Sequence, residues 1–207
     1  MARALALARR GMYTTTPNPR VGCVIVKNHE VVGEGYHASA GSAHAEVVAL
    51  QKAGARSQGA TVYVTLEPCA HHGRTPPCTE ALVQARVAKV IAAMADPNPL
   101  VSGKGMAFLR EADIEVLTGL MEAEARTLNA GFILRMTAQR PLVRLKIAAS
   151  LDGRTALQNG VSQWITGEAA RRDAHHWRAR SCAVLTGINT VLSDDPQLTV
   201  RAIDTPR

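Results

Sequence analysis

The chain has 207 residues, a net charge of +7 and a hydrophobic fraction of 46%, values ordinary for a globular protein of one or two domains. Aromatic residues make up only 3%, which argues against a surface where nucleic-acid bases stack on aromatic rings. The basic residues are spread along the chain, so we expect no nucleic-acid partner, whereas a phosphorylated small molecule fits the charge equally well. No membrane-spanning run and no signal-peptide pattern occurs, which predicts no membrane partner and a cytoplasmic location.

The first predicted elements are a helix and a hairpin. Residues 2–11 have a helical pattern closed by Gly11, and residues 21–27 form a Val- and Ile-rich strand. Asn28 and His29 are typical of a turn, so residues 30–36 are predicted to return as the second strand. Residues 43–54 again favour a helix that ends at a glycine.

The next predicted strand, residues 61–68, runs into Pro68. The elements that follow are predicted, in order, as a short helix at 78–86, a strand at 88–94, a DPNP loop at 96–99, a helix at 105–113, a strand at 114–117 and a helix at about 120–136. Strands that alternate with helices indicate an α/β layer whose sheet is largely parallel after the first hairpin.

The best domain boundary is TAQRP at residues 137–141, a polar stretch that ends in proline after a long helix. We therefore predict a first domain over residues 1–138 and a second over residues 139–207. The second segment is predicted to contain a strand within PLVRLKIAASLDG (141–153), a helix near 167–180, a strand at 182–187 and a loop at 193–201.

Cys69 and Cys78 enclose eight residues, AHHGRTPP, and a disulfide, a zinc site and a plain surface turn are all conceivable. Disulfides are uncommon in the cytoplasm. Upstream lies HAE at residues 44–46, and one histidine with two cysteines is the ligand set of a zinc deaminase, which leaves a fourth position for water. We therefore predict a zinc ion held by His44, Cys69 and Cys78.

Glu46 lies two residues after His44, on the first turn of the predicted helix. A zinc deaminase needs a glutamate that binds no metal and carries protons between the water and the leaving amine, so Glu46 is the predicted catalytic residue. The general signature is H-x-E followed by P-C-x-x-C, and eight residues stand here in place of two. The longer interval places His71, His72 and Arg74 on a loop over the metal.

Two alternatives stay open for this motif. A purely structural zinc would take a fourth protein ligand, which His71 or His72 could supply. The cysteines could also be inert buried thiols, as we expect for Cys23 and Cys182, which lie in predicted strands.

The motifs TPNPRVGCVIV, GEGYH, AHAE, VTLEPCAHHGRTPPC and DPNP, in this order, resemble the bacterial bifunctional riboflavin-biosynthesis deaminase/reductase family. The segments LKIAASLDGRTA, SQWIT and LSDDPQLTVR resemble the opening of that family's reductase domain. The resemblance implies a cytidine-deaminase-like α/β/α mixed sheet, followed by the N-terminal part of a dihydrofolate-reductase-like α/β domain.

The resemblance also implies two reactions. The first domain would hydrolytically deaminate 2,5-diamino-6-(5-phosphoribosylamino)pyrimidin-4-one to 5-amino-6-(5-phosphoribosylamino)uracil, and the second would reduce the ribose to a ribityl chain with NADPH. The residues implied to contact substrate are Asn18, His37 and Arg74 in the first domain and Ser162, Arg178, Leu198 and Arg201 in the second. The residues implied to face the nucleotide are Ala148, Trp164, Thr190 and Asp194, with Lys146 and Asp152 as neighbours of that cleft.

The predicted second domain is incomplete, because a reductase of this family needs roughly as many residues again to close its sheet. The chain is therefore expected to be a fragment or to lack reductase activity, and an unpaired sheet edge favours association into a homo-oligomer. Two other functions remain as alternatives: a zinc deaminase that acts on another nucleobase or nucleoside, and a non-catalytic module stabilised by zinc.

Overall fold

The computed structural model describes residues 1–71 and 76–205 and divides the chain into two compact units, residues 1–142 and 143–207. Within the described residues, the first unit contains a five-stranded sheet and the second contains two helices and no strand. No helix within the described residues is both long and apolar enough to span a bilayer.

The sheet of the first unit has the strand order β2-β1-β3-β4-β5. Its strands are β1 (Gly22–Lys27), β2 (Glu30–Tyr36), β3 (Thr61–Val64), β4 (Lys89–Ala92) and β5 (Glu115–Thr118). Strand β1 pairs antiparallel with both β2 and β3, whereas β3–β4 and β4–β5 are parallel. The predicted hairpin and the parallel pairing after it are confirmed, and Asn28 and His29 both take positive φ at the turn.

Helices cover both faces of this sheet. They are α1 (Ala2–Arg9), α2 (Ala45–Ala53), α3 (Cys78–Gln84), α4 (Lys104–Glu111), α5 (Glu122–Leu128) and α6 (Ala130–Ala138), with a 3-10 turn at Gly54–Ser57. Cys23 and Ile25 face the cluster formed with α2, α3 and α4, while Val24 packs against α1. The alternation follows from the two-residue period of a strand.

Helix α2 lies unusually close to the hairpin because β2 carries two glycines that face it. A Cβ atom on Gly35 would lie 2.5 Å from the Ala45 carbonyl oxygen, and one on Gly33 would lie 2.3 Å from the Ala49 oxygen. Glycine permits this close backbone approach. The N-terminus of α2, which carries HAE, is thereby fixed against the sheet.

The predicted continuous helix at about 120–136 is wrong, because Asn129 separates α5 from α6 with φ −110°. Its side chain is fully buried: Oδ1 accepts the Arg20 N–H at 2.8 Å, and Nδ2 donates to the Arg20 carbonyl at 3.0 Å. An asparagine that satisfies a distant backbone in this way competes with helix continuation.

In the second unit, α7 (Glu168–Ala179) confirms the helix predicted near 167–180, whereas α8 (Ile188–Asp194) was not predicted. The strands predicted within 141–153 and at 182–187 are wrong for the described residues, where neither segment has a ladder partner. Ala179 is the single buried apolar residue among the described residues of this unit. The sequence period of a strand cannot produce a sheet without a second strand to accept its hydrogen bonds.

Candidate metal centre

Three elements bring the predicted metal ligands together. His44 is the N-cap residue of α2, Cys69 lies in the segment after β3, and Cys78 is the first residue of α3. The ligand atoms of these residues all lie within 4.8 Å of one another. The structure thus joins side chains that are up to 34 positions apart in the sequence.

One ring nitrogen of His44 faces both sulfurs: Nδ1 lies 3.1 Å from Cys78 Sγ and 3.6 Å from Cys69 Sγ. In a tetrahedral site with Zn–N of about 2.0–2.1 Å and Zn–S of about 2.3 Å, the nitrogen and each sulfur would be about 3.6 Å apart. The donor set and its spacing therefore fit a zinc ion held by three protein ligands.

The first two residues of α3 donate hydrogen bonds to Cys69. The Cys78 N–H donates to Cys69 Sγ at 3.3 Å, and both the N–H and the hydroxyl of Thr79 donate to the Cys69 carbonyl at 3.2 Å. The Cys78 thiol, together with His44, lowers the pKa of the Cys69 thiol, whereas the same interaction and burial raise the pKa of Cys78. A lowered thiol pKa favours the thiolate, which is the form that binds metal.

Glu46 lies beside the cluster and is only 4% exposed. Burial raises the pKa of its carboxyl to about 7, and its side chain hydrogen-bonds Cys78. Such a group can hold or release a proton near neutral pH. It is not one of the three residues in the His/Cys/Cys group.

His37 contacts His44, and Asn18 in turn contacts His37. The His37 and His44 rings meet edge to face with centroids 5.6 Å apart, and burial lowers the pKa of His37. His37 Nδ1 lies 3.2 Å from the Ala43 carbonyl, and its Nε2 lies 3.2 Å from Asn18 Nδ2. Because a carbonyl can only accept, Nδ1 carries the proton, and Nε2 of the neutral ring accepts from the Asn18 amide.

The predicted loop residues are only partly described. His71 is exposed and is not a member of the His/Cys/Cys group found among the described residues. His72 and Arg74 lie outside the described residues, so the fourth-ligand alternative for His72 and the substrate contact predicted for Arg74 stay predictions.

In the second unit, Trp164 and Arg201 line one cavity of about 310 Å³ together with Arg171 and His175. Arg178 donates to the carbonyls of Gln197 and Thr199 at 3.2 and 2.6 Å, which fixes the backbone on both sides of Leu198. The other predicted residues of this unit are not among those that line the cavity: Ala148, Ser162, Thr190 and Asp194. Neither Lys146 nor Asp152 lines it.

Sequence reasoning missed Glu67, which is 4% exposed and accepts four backbone N–H groups. A carboxylate directly after an apolar strand and two residues before a metal ligand is the signal that could have singled it out. It also missed Asn129, because no local pattern shows that this side chain would meet Arg20.

Comparison with known proteins gives two matches to families. Residues 1–94 match the cytidine and deoxycytidylate deaminase zinc-binding region, and residues 141–207 match the RibD C-terminal domain. The zinc-binding region spans the three candidate ligands and Glu46.

Close relatives are similar along nearly the whole chain. The riboflavin biosynthesis protein RibD of Escherichia coli strain K12 is 61% identical over 201 residues, which is 97% of this chain and 55% of that protein. The chain thus spans about half the length of the curated relatives that it matches.

Two solved structures show the same fold. Acinetobacter baumannii RibD (form 1) superposes with a TM-score of 0.92 at 61% identity, over 97% of this chain and 56% of that one. The Thermotoga maritima diaminohydroxyphosphoribosylaminopyrimidine deaminase/5-amino-6-(5-phosphoribosylamino)uracil reductase also gives 0.92, at 44% identity over 97% of this chain and 58% of that one. These matches confirm the predicted fold class, a deaminase-type mixed sheet followed by part of a reductase-type domain.

Proposed function

The chain belongs to the family of the bacterial riboflavin biosynthesis protein RibD, and on that premise we propose that its first domain, residues 1–138, is a zinc-dependent deaminase of riboflavin biosynthesis. Its substrate would be 2,5-diamino-6-(5-phosphoribosylamino)pyrimidin-4-one and its product 5-amino-6-(5-phosphoribosylamino)uracil. The observation that carries this proposal is the His44, Cys69 and Cys78 group with a buried glutamate beside it.

In this proposal His44, through Nδ1, and the two cysteine sulfurs hold the zinc. Bound zinc supplies a Lewis acid that lowers the pKa of water at its open position from about 16 toward about 7. The hydrogen bonds from Thr79 and the Cys78 N–H orient Cys69 for this task.

Glu46 is the proposed proton carrier. Its carboxylate takes a proton as water adds to the ring carbon, and its protonated form donates a proton as the amino group leaves as ammonia. One water is consumed, one carbonyl oxygen is gained and one ammonia is released. The raised pKa of about 7 supports this role, because the group can exist in either form at neutral pH.

Asn18, His37 and Arg74 are the proposed contacts to the substrate. The hydrogen bond between Asn18 and His37 fixes the orientation of both polar side chains next to His44. This arrangement supports hydrogen bonding to a pyrimidine ring there, while Arg74 would contact the phosphoribosyl group, since a guanidinium suits phosphate.

Residues 139–207 are proposed as the front portion of the reductase domain, which uses NADPH when complete. Ser162, Arg178, Leu198 and Arg201 would face the substrate of this domain. Ala148, Trp164, Thr190 and Asp194 would face the nucleotide. The cavity at Trp164 is lined by three arginines and one glutamate, an excess of positive charge that supports an anionic ligand: Arg171, Arg172, Arg201 and Glu168.

The decisive experiment measures ammonia release from the diaminopyrimidinone substrate by the zinc-loaded wild type and by Glu46→Gln. The wild type should release ammonia, and the variant should retain zinc but lose at least about 100-fold in rate, the usual contribution of a general acid–base group. A folded, zinc-loaded wild type that releases nothing would contradict the proposal and direct attention to another nucleobase or to a structural metal.

A cytoplasmic location and a homo-oligomeric state are part of the same proposal. None of the four cysteines, all of which lie in the described residues, forms a disulfide, which supports a reducing compartment. Light scattering of the purified chain measures the oligomeric state, and a monomer would remove that part of the proposal.

A further inference from the structure

Glu67 lies between the sheet and the metal-binding segment. Its N–H donates to the Met94 carbonyl at 3.0 Å and so continues the β3–β4 pairing beyond the end of β3. Pro68 and the metal ligand Cys69 follow directly. The backbone of Glu67 therefore connects the rigid sheet to the site, two residues before the sulfur that would bind zinc.

The side chain of Glu67 points to a different part of the chain. Its Oε2 atom accepts the N–H groups of both Asp96 and Gly103 at 3.0 Å. One oxygen thus holds both ends of the segment 96–103, the segment that contains the DPNP motif. Because both ends of this loop bond to the same buried oxygen, the distance between its ends is fixed.

The second oxygen, Oε1, accepts the N–H groups of Gly105 and Met106 at 2.9 and 3.3 Å. These belong to the first turn of α4, where backbone N–H groups have no partner within the helix. The N-cap residue, Gly103, has no side chain that could satisfy them. Glu67 therefore caps α4 from a distance of more than 35 residues in the sequence.

The start of α4 also contacts the backbone next to Glu67, without involving the Glu67 carboxylate. A Cβ atom at Gly105 would lie 2.0 Å from the Pro68 carbonyl oxygen. The start of α4 therefore packs directly on the backbone that joins Glu67 to Cys69.

The start of the 96–103 segment borders the metal-binding group. The half-buried Asp96 donates its backbone N–H to Glu67, and burial, followed by the charges of Glu67 and Cys69, raises the pKa of its carboxyl. Asp96 also accepts the Asn98 N–H at 2.8 Å, so the segment is ordered from within. The start of the segment is thus bonded to Glu67, two residues before Cys69, and within the described residues the segment contributes no member of the His/Cys/Cys group.

We propose that Glu67 is a positioning residue that fixes the 96–103 segment as one wall of the substrate site, an inference that rests on the proposed deaminase function. It is not a member of the His/Cys/Cys group, and the proposal assigns it no contact with the substrate. It acts by holding both ends of the wall and the first turn of α4 at a set distance from Cys69.

Glu67→Gln tests this role with little change in shape. An amide places an NH₂ donor opposite two N–H donors, so either the ends of the segment or the first turn of α4 lose their acceptor. Glu122→Gln is the matched control, because the side chain of Glu122 is 42% exposed, pairs with Arg126 in its own helix and takes part in none of the Glu67 contacts named above. Glu67→Asp keeps both oxygens on a shorter side chain and serves if the glutamine variant does not fold.

Three quantities are measured on the full chain: zinc per chain, hydrogen exchange of peptides spanning 95–106, and KM and kcat of ammonia release. In Glu67→Gln we expect faster exchange at 95–106, retained zinc and a KM raised about 10- to 100-fold, the usual effect of removing a partner that orients a site. A smaller change is expected in kcat, because His44, Cys69 and Glu46 stay in place. Glu67→Asp should give an intermediate KM.

A purely structural role would give a different pattern. Loss of folded enzyme lowers kcat per chain and loses zinc while KM stays at the wild-type value, and that result would overturn the proposal. Faster exchange at 95–106 with unchanged KM would also overturn it, because the segment would then not be a wall of the site.

The measurements also distinguish failure of the Glu67 role from failure of the proposed deaminase function. If the wild type itself releases no ammonia, the proposed function fails, and the role of Glu67 in that reaction fails with it. If the wild type is active but the Glu67 variants behave like the Glu122→Gln control, the positioning role is wrong and the proposed function stands.

Discussion

His44 presents one ring nitrogen to two sulfurs because its backbone is the N-cap of α2 rather than part of the helix. With φ −71° and ψ 157°, the residue is extended, so its side chain leaves the helix axis toward the start of α3. Cys78 in turn begins α3, and its N–H is free to donate to Cys69. Two helix starts therefore supply His44 and Cys78, and the segment after β3 supplies Cys69.

At the residue scale, we predict that Cys78→Ser removes the metal whereas Cys182→Ser does not. Cys78 is fully buried in the ligand group, and Cys182 is exposed in the second unit. Serine is a poor zinc ligand, and a metal that binds only the folded state stabilises it. Atomic absorption should find about one zinc per chain in the control, as three ligands hold a single ion.

The same variants can be compared by thermal unfolding with and without a chelator. Chelation should lower the Tm of the control toward that of Cys78→Ser and leave Cys78→Ser unchanged. Retention of zinc by Cys78→Ser at the level of the control would contradict the assignment of this ligand.

Helix α2 is the element that sets the distance between the sheet and the site. It approaches the hairpin at Gly33 and Gly35, and both positions lack room for a methyl group. His44 and Glu46 therefore depend on two glycines about ten positions before them in the sequence. The segment that carries Asn18 is fixed separately, at the junction of α5 and α6. There the Asn129 side chain bonds to the backbone of Arg20, two residues after Asn18.

At the element scale, we predict that Gly35→Ala destabilises the first unit by about 1–3 kcal/mol, the usual cost of overpacking. The added Cβ would lie 2.5 Å from the Ala45 carbonyl and would push the start of α2 from the sheet. Zinc affinity should fall as well, because Ala45 lies between His44 and Glu46. Urea unfolding followed by circular dichroism, with a zinc titration, measures both effects.

Gly167→Ala is the matched control, since a Cβ there meets nothing within 4 Å and the residue does not have positive φ. It should leave both quantities unchanged. Equal stability of Gly35→Ala and this control would mean that α2 can shift without cost.

The two units of the chain differ in how much apolar surface each buries. The first unit buries both faces of its sheet, whereas the second leaves apolar side chains such as Leu145, Leu151 and Leu185 at least 84% exposed. The contacts within the second unit include two arginines stacked over the Trp177 ring and one over Trp164. Such contacts contribute far less than a buried core.

At the scale of the whole molecule, we predict that the two units unfold separately. Both tryptophans, Trp164 and Trp177, lie in the second unit, so tryptophan fluorescence monitors that unit alone. The tryptophan fluorescence should change at a lower urea concentration than the far-ultraviolet circular dichroism. The helices and sheet of the first unit dominate the circular dichroism signal. Coincident transitions by the two probes would contradict this prediction.

The sequence by itself determined the alternation of strands and helices, the hairpin at Asn28 and His29, and the grouping of His44, Glu46, Cys69 and Cys78 as one chemical set. These features have local causes: side-chain periodicity, turn residues that tolerate positive φ, and ligand types with a characteristic order.

Only the tertiary structure decided that Glu67 holds the segment 96–103, that Asn129 ends α5, and that the segments 141–153 and 182–187 form no ladder within the described residues. Each of these outcomes depends on whether a hydrogen-bond partner is available far along the chain. Glu67 bonds to Asp96, 29 positions away, and Asn129 bonds to Arg20, 109 positions away. Periodicity reports which face of an element is buried, but not which distant backbone group meets a given side chain there.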